Sequence, residues 1–205
     1  MLRIESMVVG ARIADYEVWI KQYGDVLRAQ KGFQGWVVAN SFGYPTKYTR
    51  LANWESRETE LAAIWSSYLH AFLKANPSEG LFTMARPGEA YEIVTSVGES
   101  IPAGFLLLVE FDLDIRPGNA AAFESGRQKL FELRQKLGNG FILSQMLRFM
   151  GNPTKYLISA FYTNRDNAWA AFAMPEYQEV ANAYRWSDYA ITPPAFEAYE
   201  VIHQI

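Results

Sequence analysis

The sequence predicts an α+β protein that contains two copies of one β-α-β-β-α-β module. One hexapeptide occurs twice, as GYPTKY at 43–48 and as GNPTKY at 151–156, at an offset of 108 residues. The same offset pairs Gly32-Phe33 with Gly140-Phe141, and it continues to the last strand of each copy. A constant offset over so long a stretch indicates a tandem duplication rather than chance. Each copy then has an ordinary domain length.

The first half of copy one has the pattern of a strand followed by a helix. Leu2–Ala11 alternates and is rich in Val and Ile, which predicts a strand. Asp15 is the expected N-cap of the helix, and Gly32 lies just beyond its end. Apolar residues recur on one helical face at Tyr16, Trp19, Ile20, Tyr23, Val26 and Leu27.

A hairpin and a second helix complete copy one. Strands are expected over Phe33–Phe42 and Lys47–Trp54, joined by a turn that contains Gly and Pro. Ser56 is the expected N-cap of the second helix, which is predicted to break near Ser66-Ser67. A loop over Asn76–Gly88 leads to the last strand. Copy two repeats this order, and the predicted modules are 1–98 and 104–205, with the linker between them.

Composition excludes several classes of function. A net charge of −3 argues against nucleic-acid binding, which requires clustered Lys and Arg. The chain has no cysteine, so it has no disulfides and no cysteine nucleophile. The longest apolar run is far shorter than the roughly 20 residues of a membrane span, and the first residues do not resemble a signal peptide. We therefore expect a cytoplasmic protein with no membrane partner.

Short motifs after the third strand of each copy carry a family resemblance. They are Trp54-Glu55-Ser56-Arg57-Glu58 and Tyr162-Thr163-Asn164-Arg165-Asp166, together with a Tyr-Glu pair in each last strand. With the element order, they resemble the dimeric α+β barrel superfamily and, within it, the antibiotic-biosynthesis-monooxygenase-like domains. The resemblance implies two ferredoxin-like modules whose antiparallel sheets pack as a pseudo-dimeric barrel inside one chain. The fusion does not forbid a further homodimer.

The resemblance also implies an activity. Cofactor-independent oxygenases of this kind oxidise a polycyclic phenol or an anthrone-like compound with O₂, in a dry aromatic pocket with anion-stabilising donors. The expected partner is thus a small aromatic molecule. No cofactor is expected, and no metal, because neither His70 nor His203 lies in a cluster with ligand spacing.

Seven residues of copy one are the candidates for that site. His70 is the predicted proton acceptor and Tyr68 the hydroxyl donor. The predicted substrate-binding residues are Trp36, Asn40, Arg50, Trp65 and Phe72. Copy two has no aromatic residue or histidine at the places that match the helical candidates, which favours a pocket in copy one. The alternative is ordinary core packing for the aromatic side chains, and a position at the rim or against the other sheet for the strand residues.

Two other functions stay open. The fold is also used by binding or structural modules without catalysis, and nothing in the sequence excludes that role. Some relatives bind or degrade haem with a strand Asn, a helix Trp and a helix His. Here Trp65 and His70 are only five residues apart and the first strand has no Asn, which argues against haem.

Overall fold

The computed structural model describes residues 1–101 and 106–205. The α+β class is confirmed, and the chain divides into two compact units. The first unit consists of Met1–Glu89 and Val201–Ile205, and the second unit consists of Ala90–Glu200. Positions 102–105, which hold part of the predicted linker and the predicted first residue of the next strand, lie outside the described residues. The module limits 1–98 and 104–205 stay a prediction.

The first unit contains an antiparallel sheet of four strands, and its helices lie between these strands in the sequence. Its strands are β1 (Leu2–Val8), β2 (Phe33–Ser41), β3 (Lys47–Trp54) and β4 (Phe82–Ala85). Its helices are α1 (Ile13–Arg28), α2 (Arg57–Ile64) and α3 (Ser67–Ala75), with a 3₁₀ turn at Gly10–Arg12. The strand order is β4-β1-β3-β2. At the other edge of β2, Trp36 and Ile205 exchange backbone hydrogen bonds of 2.8 and 3.0 Å.

The second unit repeats this order. Its strands are β5 (Glu89–Gly98), β6 (Leu107–Asp114), β7 (Phe141–Phe149), β8 (Lys155–Tyr162) and β9 (Ala195–Gln204). The second unit contains β5 from Ala90 onward and β9 as far as Glu200. Its helices are α4 (Ala120–Leu137), α5 (Arg165–Ala173), α6 (Pro175–Ala183) and α7 (Trp186–Tyr189). The strand order is β9-β6-β8-β7-β5, and all neighbouring strands are antiparallel. The fifth strand of this sheet, β5, comes from the end of the first sequence copy.

Equivalent contacts occur in both units. Tyr48 donates to Glu17 at 3.2 Å in the first unit, and Tyr156 donates to Glu124 at 2.6 Å in the second. Matched backbone bonds also join Glu55 N to Gly32 O at 2.7 Å and Thr163 N to Gly140 O at 2.8 Å. The repeated sequence therefore corresponds to repeated tertiary contacts, in which the tyrosines are 108 residues apart and the glutamates 107.

Local signals predicted most helix limits correctly. The predicted break is confirmed, because α2 ends at Ile64 and the Ser66 hydroxyl accepts from Leu69 N at 3.2 Å to start α3. Ser56 caps α2 as predicted, in a reciprocal capping box with Thr59.

Two local predictions were wrong. α1 begins at Ile13, so Asp15 lies in its first turn, where the carboxylate accepts from Arg12 instead of capping the helix. The predicted loop Asn76–Gly88 contains strand β4, which pairs with β1. An edge strand satisfies backbone groups that a loop would leave to water, and this gain depends on a partner distant in sequence.

Gly140 is expected to tolerate no side chain. Its φ is +68°, and a Cβ built there would lie 2.2 Å from Thr163 Oγ1. Gly140→Ala should lower the free energy of unfolding by about 2–3 kcal/mol, because backbone strain adds to overpacking. Gly118→Ala is the matched control: φ is +87° with nothing within 4 Å of the Cβ, so strain alone should cost about 1 kcal/mol. Equal losses in urea denaturation would contradict the packing argument.

Candidate functional site

A cluster of aromatic side chains surrounds one buried arginine in the first unit. We call it the first-unit cluster, and it consists of Arg50 with Tyr16, Trp19, Tyr23, Trp36, Phe72 and Phe82. Its rings form a connected set: Trp19 lies 5.1 Å from Tyr23 and 6.1 Å from Phe82, and Tyr23 lies 5.7 Å from Trp36, between ring centroids. Tyr23, Phe72 and Phe82 are only partly buried, so the edge of the cluster is accessible from solvent.

Helix and strand periodicity bring these side chains together. Tyr16, Trp19 and Tyr23 fall at i, i+3 and i+7 on one face of α1. In the sheet, Val38 is opposite Arg50 and Trp36 is opposite Ala52, so Trp36 and Arg50 lie on the same face. That face packs against α1 in the core of the first unit.

Arg50 is a buried cation with a neutral partner. Its side chain is 6% exposed, its Nη2 donates to Ser6 Oγ at 2.7 Å, and its Cζ lies 5.9 Å from the centroid of Phe82. Its Nε has no hydrogen-bond partner, and no acidic side chain within the described residues forms an ion pair with it. Removing a guanidinium from water without a counter-charge is costly. A bound anion would offset that cost.

Two further donors of the cluster are buried without a partner. They are the hydroxyl of Tyr16 and the indole Nε1 of Trp36. Each such group costs about 1–3 kcal/mol when it is buried unsatisfied. Together with Arg50 Nε, the cluster therefore contains three buried donors without partners among aromatic rings.

The tyrosines of the cluster act as donors rather than bases. Burial raises the pKa of Tyr16 to about 12, with Arg50 acting in the opposite direction and Glu17 adding to the increase. Burial also raises the pKa of Tyr23, again with Arg50 opposing. Both phenols therefore keep their protons at neutral pH and can donate hydrogen bonds to an anion.

These pKa values predict a loss of stability at alkaline pH. Tyrosine ionises near pH 10 in the unfolded chain, whereas burial raises the pKa of Tyr16 and of Tyr162 to about 12 in the folded protein. The folded state then binds more protons than the unfolded state between pH 10 and 12, so the free energy of unfolding must fall across that interval. Urea denaturation from pH 8 to 11.5 measures this, and Tyr162→Phe should reduce the slope. A level profile up to pH 11.5 would contradict the prediction.

The structure brings three of the seven predicted site residues into the cluster. They are Trp36, Arg50 and Phe72, and Phe72 reaches it from α3, with its ring 6.2 Å from Trp19 and from Tyr23. Asn40 has a different environment. Its amide donates to Pro45 O at 2.8 Å and to Lys47 O at 3.1 Å, so in this structure it holds the hairpin turn.

The remaining three predicted residues lie on the surface. Trp65 is 75% exposed and Tyr68 is 55% exposed. His70 is exposed too, with Nε2 3.1 Å from Ile64 O and its ring 6.1 Å from Trp65. The break between α2 and α3 places these side chains outside the first-unit cluster, and their predicted roles stay predictions.

Four members of the cluster were not predicted as site residues. Tyr16, Trp19 and Tyr23 were interpreted only as the apolar face of α1, and Phe82 was placed in the loop Asn76–Gly88. Tyr16 and Tyr23, seven residues apart, place two hydroxyl groups on a face of α1 that is otherwise apolar. This pattern could have identified the site from the sequence. Buried hydroxyls require partners, and that requirement marks a candidate site.

The described residues hold neither a metal-binding group nor a helix that could span a membrane. Among residues 1–101 and 106–205, no three His, Asp or Glu side chains come together as a metal-binding group. In the same part of the chain, no helix combines the length and apolar character that crossing a membrane requires.

Comparison with known proteins identifies the fold. No family profile and no curated protein matches the chain. Among solved structures, a provisionally named monooxygenase from Fusobacterium nucleatum superposes with a TM-score of 0.81 at 13% identity, covering 99% of this chain and 92% of that one. One from Lactobacillus acidophilus gives 0.75 at 12% identity, covering 99% and 94%. The chain shares the α+β fold of these proteins. The resemblance predicted from sequence is thereby confirmed as a fold.

An anthrone oxidase-like protein shares this fold as well. Its TM-score is 0.66 at 14% identity, and the match covers 100% of this chain and 92% of that one. All three matches extend over both units of the chain rather than over one of them. At identities this low, the likeness establishes the fold and leaves the activity to be argued from the site.

Proposed function

We propose that this protein is a cofactor-independent monooxygenase that acts on a small aromatic compound in the first-unit cluster. The observation that carries the proposal is the buried guanidinium of Arg50 among aromatic rings, with no acidic partner in the described residues and with unpaired donors on Arg50, Tyr16 and Trp36. The provisional names of the structural neighbours are consistent with it.

The chemistry requires an anion that the cluster can stabilise. A phenol or anthrone bound beside Arg50 loses a proton more readily, because a nearby cation in water-poor surroundings favours the anionic form. The hydroxyl of Tyr16 and the indole of Trp36 are further buried donors of the cluster that have no partner. Pre-positioned donors of this kind stabilise charge as it develops, which is often the largest contribution to catalysis.

The reaction balances with O₂ as the only co-reactant. The deprotonated substrate supplies the electrons, and a C–O bond forms at its activated carbon. One oxygen atom stays in the product as a carbonyl, and the second leaves as water. Its two hydrogens come from the CH₂ carbon of an anthrone, or from the ring carbon and the hydroxyl of a phenol that becomes a quinone. The protein binds the anion, orients it and limits access of water.

We also propose the finer architecture implied by the sequence. Two tandem ferredoxin-like modules, 1–98 and 104–205, would form inside one chain the pseudo-dimer that two chains form in relatives. The strand order β4-β1-β3-β2 in one unit and β9-β6-β8-β7 in the other supports this. We place the protein in the cytoplasm on its composition.

Oxygen uptake tests the proposed function. The purified protein, free of cofactor, is mixed with a panel of anthrones and hydroquinones in an oxygen electrode. Uptake above the buffer rate, with a carbonyl product found by mass spectrometry, is the expected result. If the panel binds without any uptake, the protein is a non-catalytic binding module of the same fold, and the oxygenase assignment fails.

The same assay tests the surface residues. His70→Ala, Tyr68→Phe and Trp65→Ala remove the predicted proton acceptor, hydroxyl donor and pocket wall. Loss of uptake in these variants would place the chemistry at the junction of α2 and α3. Uptake retained in all three would favour the first-unit cluster.

A further inference from the structure

We infer that the second unit holds a separate binding site for a small aromatic carboxylate, centred on Arg134 of α4. This side chain is 3% exposed. Its Nη2 donates to the hydroxyl of Tyr177 at 2.7 Å, and its Nη1 lies 3.4 Å from Ser144 Oγ. Its Nε has no partner. The inference does not depend on the proposed oxygenase activity.

The charge of Arg134 has no counter-charge in the described residues. Its hydrogen-bond partners are neutral hydroxyls, and the nearby Tyr162 stays neutral because burial raises its pKa to about 12. The Tyr162 hydroxyl is itself buried without a partner. A guanidinium this deep is costly unless an anion accompanies it. A carboxylate that accepts from Arg134 Nε and from Tyr162 would satisfy both groups.

The surroundings of Arg134 favour an aromatic body on that carboxylate. The Arg134 Cζ lies 5.1, 5.2 and 5.7 Å from the ring centroids of Phe172, Tyr177 and Phe131. Planar groups pack well between such rings, and guanidinium and carboxylate form a planar pair. These contacts suit a flat aromatic acid better than an aliphatic acid or an inorganic anion.

The two units build their arginine sites from different elements. The matched contacts Tyr48–Glu17 and Tyr156–Glu124 align Arg134 with Leu27, a residue of the first unit's core. The hairpin repeat aligns Arg50 with Ile158. Each arginine has an aliphatic residue at its counterpart, so the two units hold their buried charges on different elements. We therefore assign them different ligands.

Phe141, whose ring contacts Tyr162, also lines an open cleft. A cleft of about 300 Å³ is lined by Gly98, Glu99, Ser100, Gln135, Phe141 and Ile142. Gln135 follows Arg134 directly, and Phe141 packs edge-on against Tyr162, with ring centroids 5.9 Å apart. Displacement of the Phe141 ring would give a ligand access from the cleft.

NMR of arginine Nε–Hε groups tests the inference on the intact protein. The Arg134 signal is assigned by its absence from Arg134→Lys, and benzoate is then titrated against acetate. A saturable shift of the Arg134 signal, with benzoate binding at least about ten-fold more tightly than acetate, is expected because the ring adds buried apolar area. No shift with benzoate, or equal affinity for both anions, would overturn the inference.

Arg127 provides the internal control. It is buried on the same helix and its Nε also has no partner, but its guanidinium stacks at 3.9 Å on the ring of Trp186 and donates to Tyr184 O, so it tests whether an unpaired Nε alone is enough to bind benzoate. Its Nε signal should not move with benzoate. Should Arg134→Lys fail to fold, Tyr177→Phe serves for assignment, because loss of its hydroxyl bond shifts the same signal. Benzoate that moves the Arg127 signal as much as the Arg134 signal would count against a specific site.

Discussion

Replacing Arg50 with methionine is expected to reduce oxygen uptake at least about 100-fold. The substitution keeps much of the side-chain volume and removes the only permanent positive charge of the first-unit cluster. Deleting one preorganised donor to a developing anion typically costs a factor of about 10² to 10³ in rate. The measurement is the initial uptake rate with the best substrate of the anthrone and hydroquinone panel.

Stability measurements separate this effect from unfolding. A buried cation without an acidic partner is costly, so Arg50→Met should keep or raise the melting temperature. Arg28→Met is the matched control, because Arg28 is 59% exposed on α1 of the same unit. It should keep the wild-type rate. Full uptake in Arg50→Met would refute the role of the guanidinium, whatever the stability of the variant.

Truncating Phe123 to alanine is expected to cost about 3–5 kcal/mol of unfolding free energy. Phe123 lies on α4 and has no exposed surface. Its ring contacts Tyr156 at 5.1 Å, Tyr189 at 6.0 Å and Trp186 at 6.2 Å between centroids. Removing it leaves a cavity among these aromatic rings. The melting temperature should fall by about 10 °C for a chain of this size.

Phe196→Ala is the control for Phe123→Ala. Phe196 also contacts aromatic neighbours, Phe111 and Trp169, but it is 50% exposed. Water can fill the space that its ring leaves, so the expected cost is about 1 kcal/mol or less. Urea denaturation of both variants gives the comparison. Similar losses would show that burial is not what distinguishes the two rings.

Local features of this fold were predictable because neighbouring residues decide them. The break between α2 and α3 depends on Ser66, whose hydroxyl caps the next helix. The hairpin turns depend on Gly and Pro within a few residues. The strand β4 was missed because its partner β1 is about 75 residues away in the sequence, and no local pattern reports that pairing.

In the candidate site, too, the sequence predicted some residues and the tertiary structure revealed others. Arg50, Trp36 and Phe72 were predicted, since their residue types suit a phenolate pocket. Trp65 and Tyr68 have equally suitable chemistry, yet the chain turns them to the surface. Arg134 was not predicted at all, because an arginine on a helix is usually solvated and only burial makes its charge significant.

The sequence by itself determined the α+β class, most element limits and the fold resemblance, since each follows from residue identity and spacing along the chain. The tertiary structure alone decided which polar groups are buried without partners. That property depends on packing among distant segments, which brings Arg50 into one cluster with Tyr16 and Trp36, and Arg134 into contact with Tyr177. Burial converts these ordinary surface residue types into the two candidate anion sites, because unpaired charge and unpaired donors are costly only away from water.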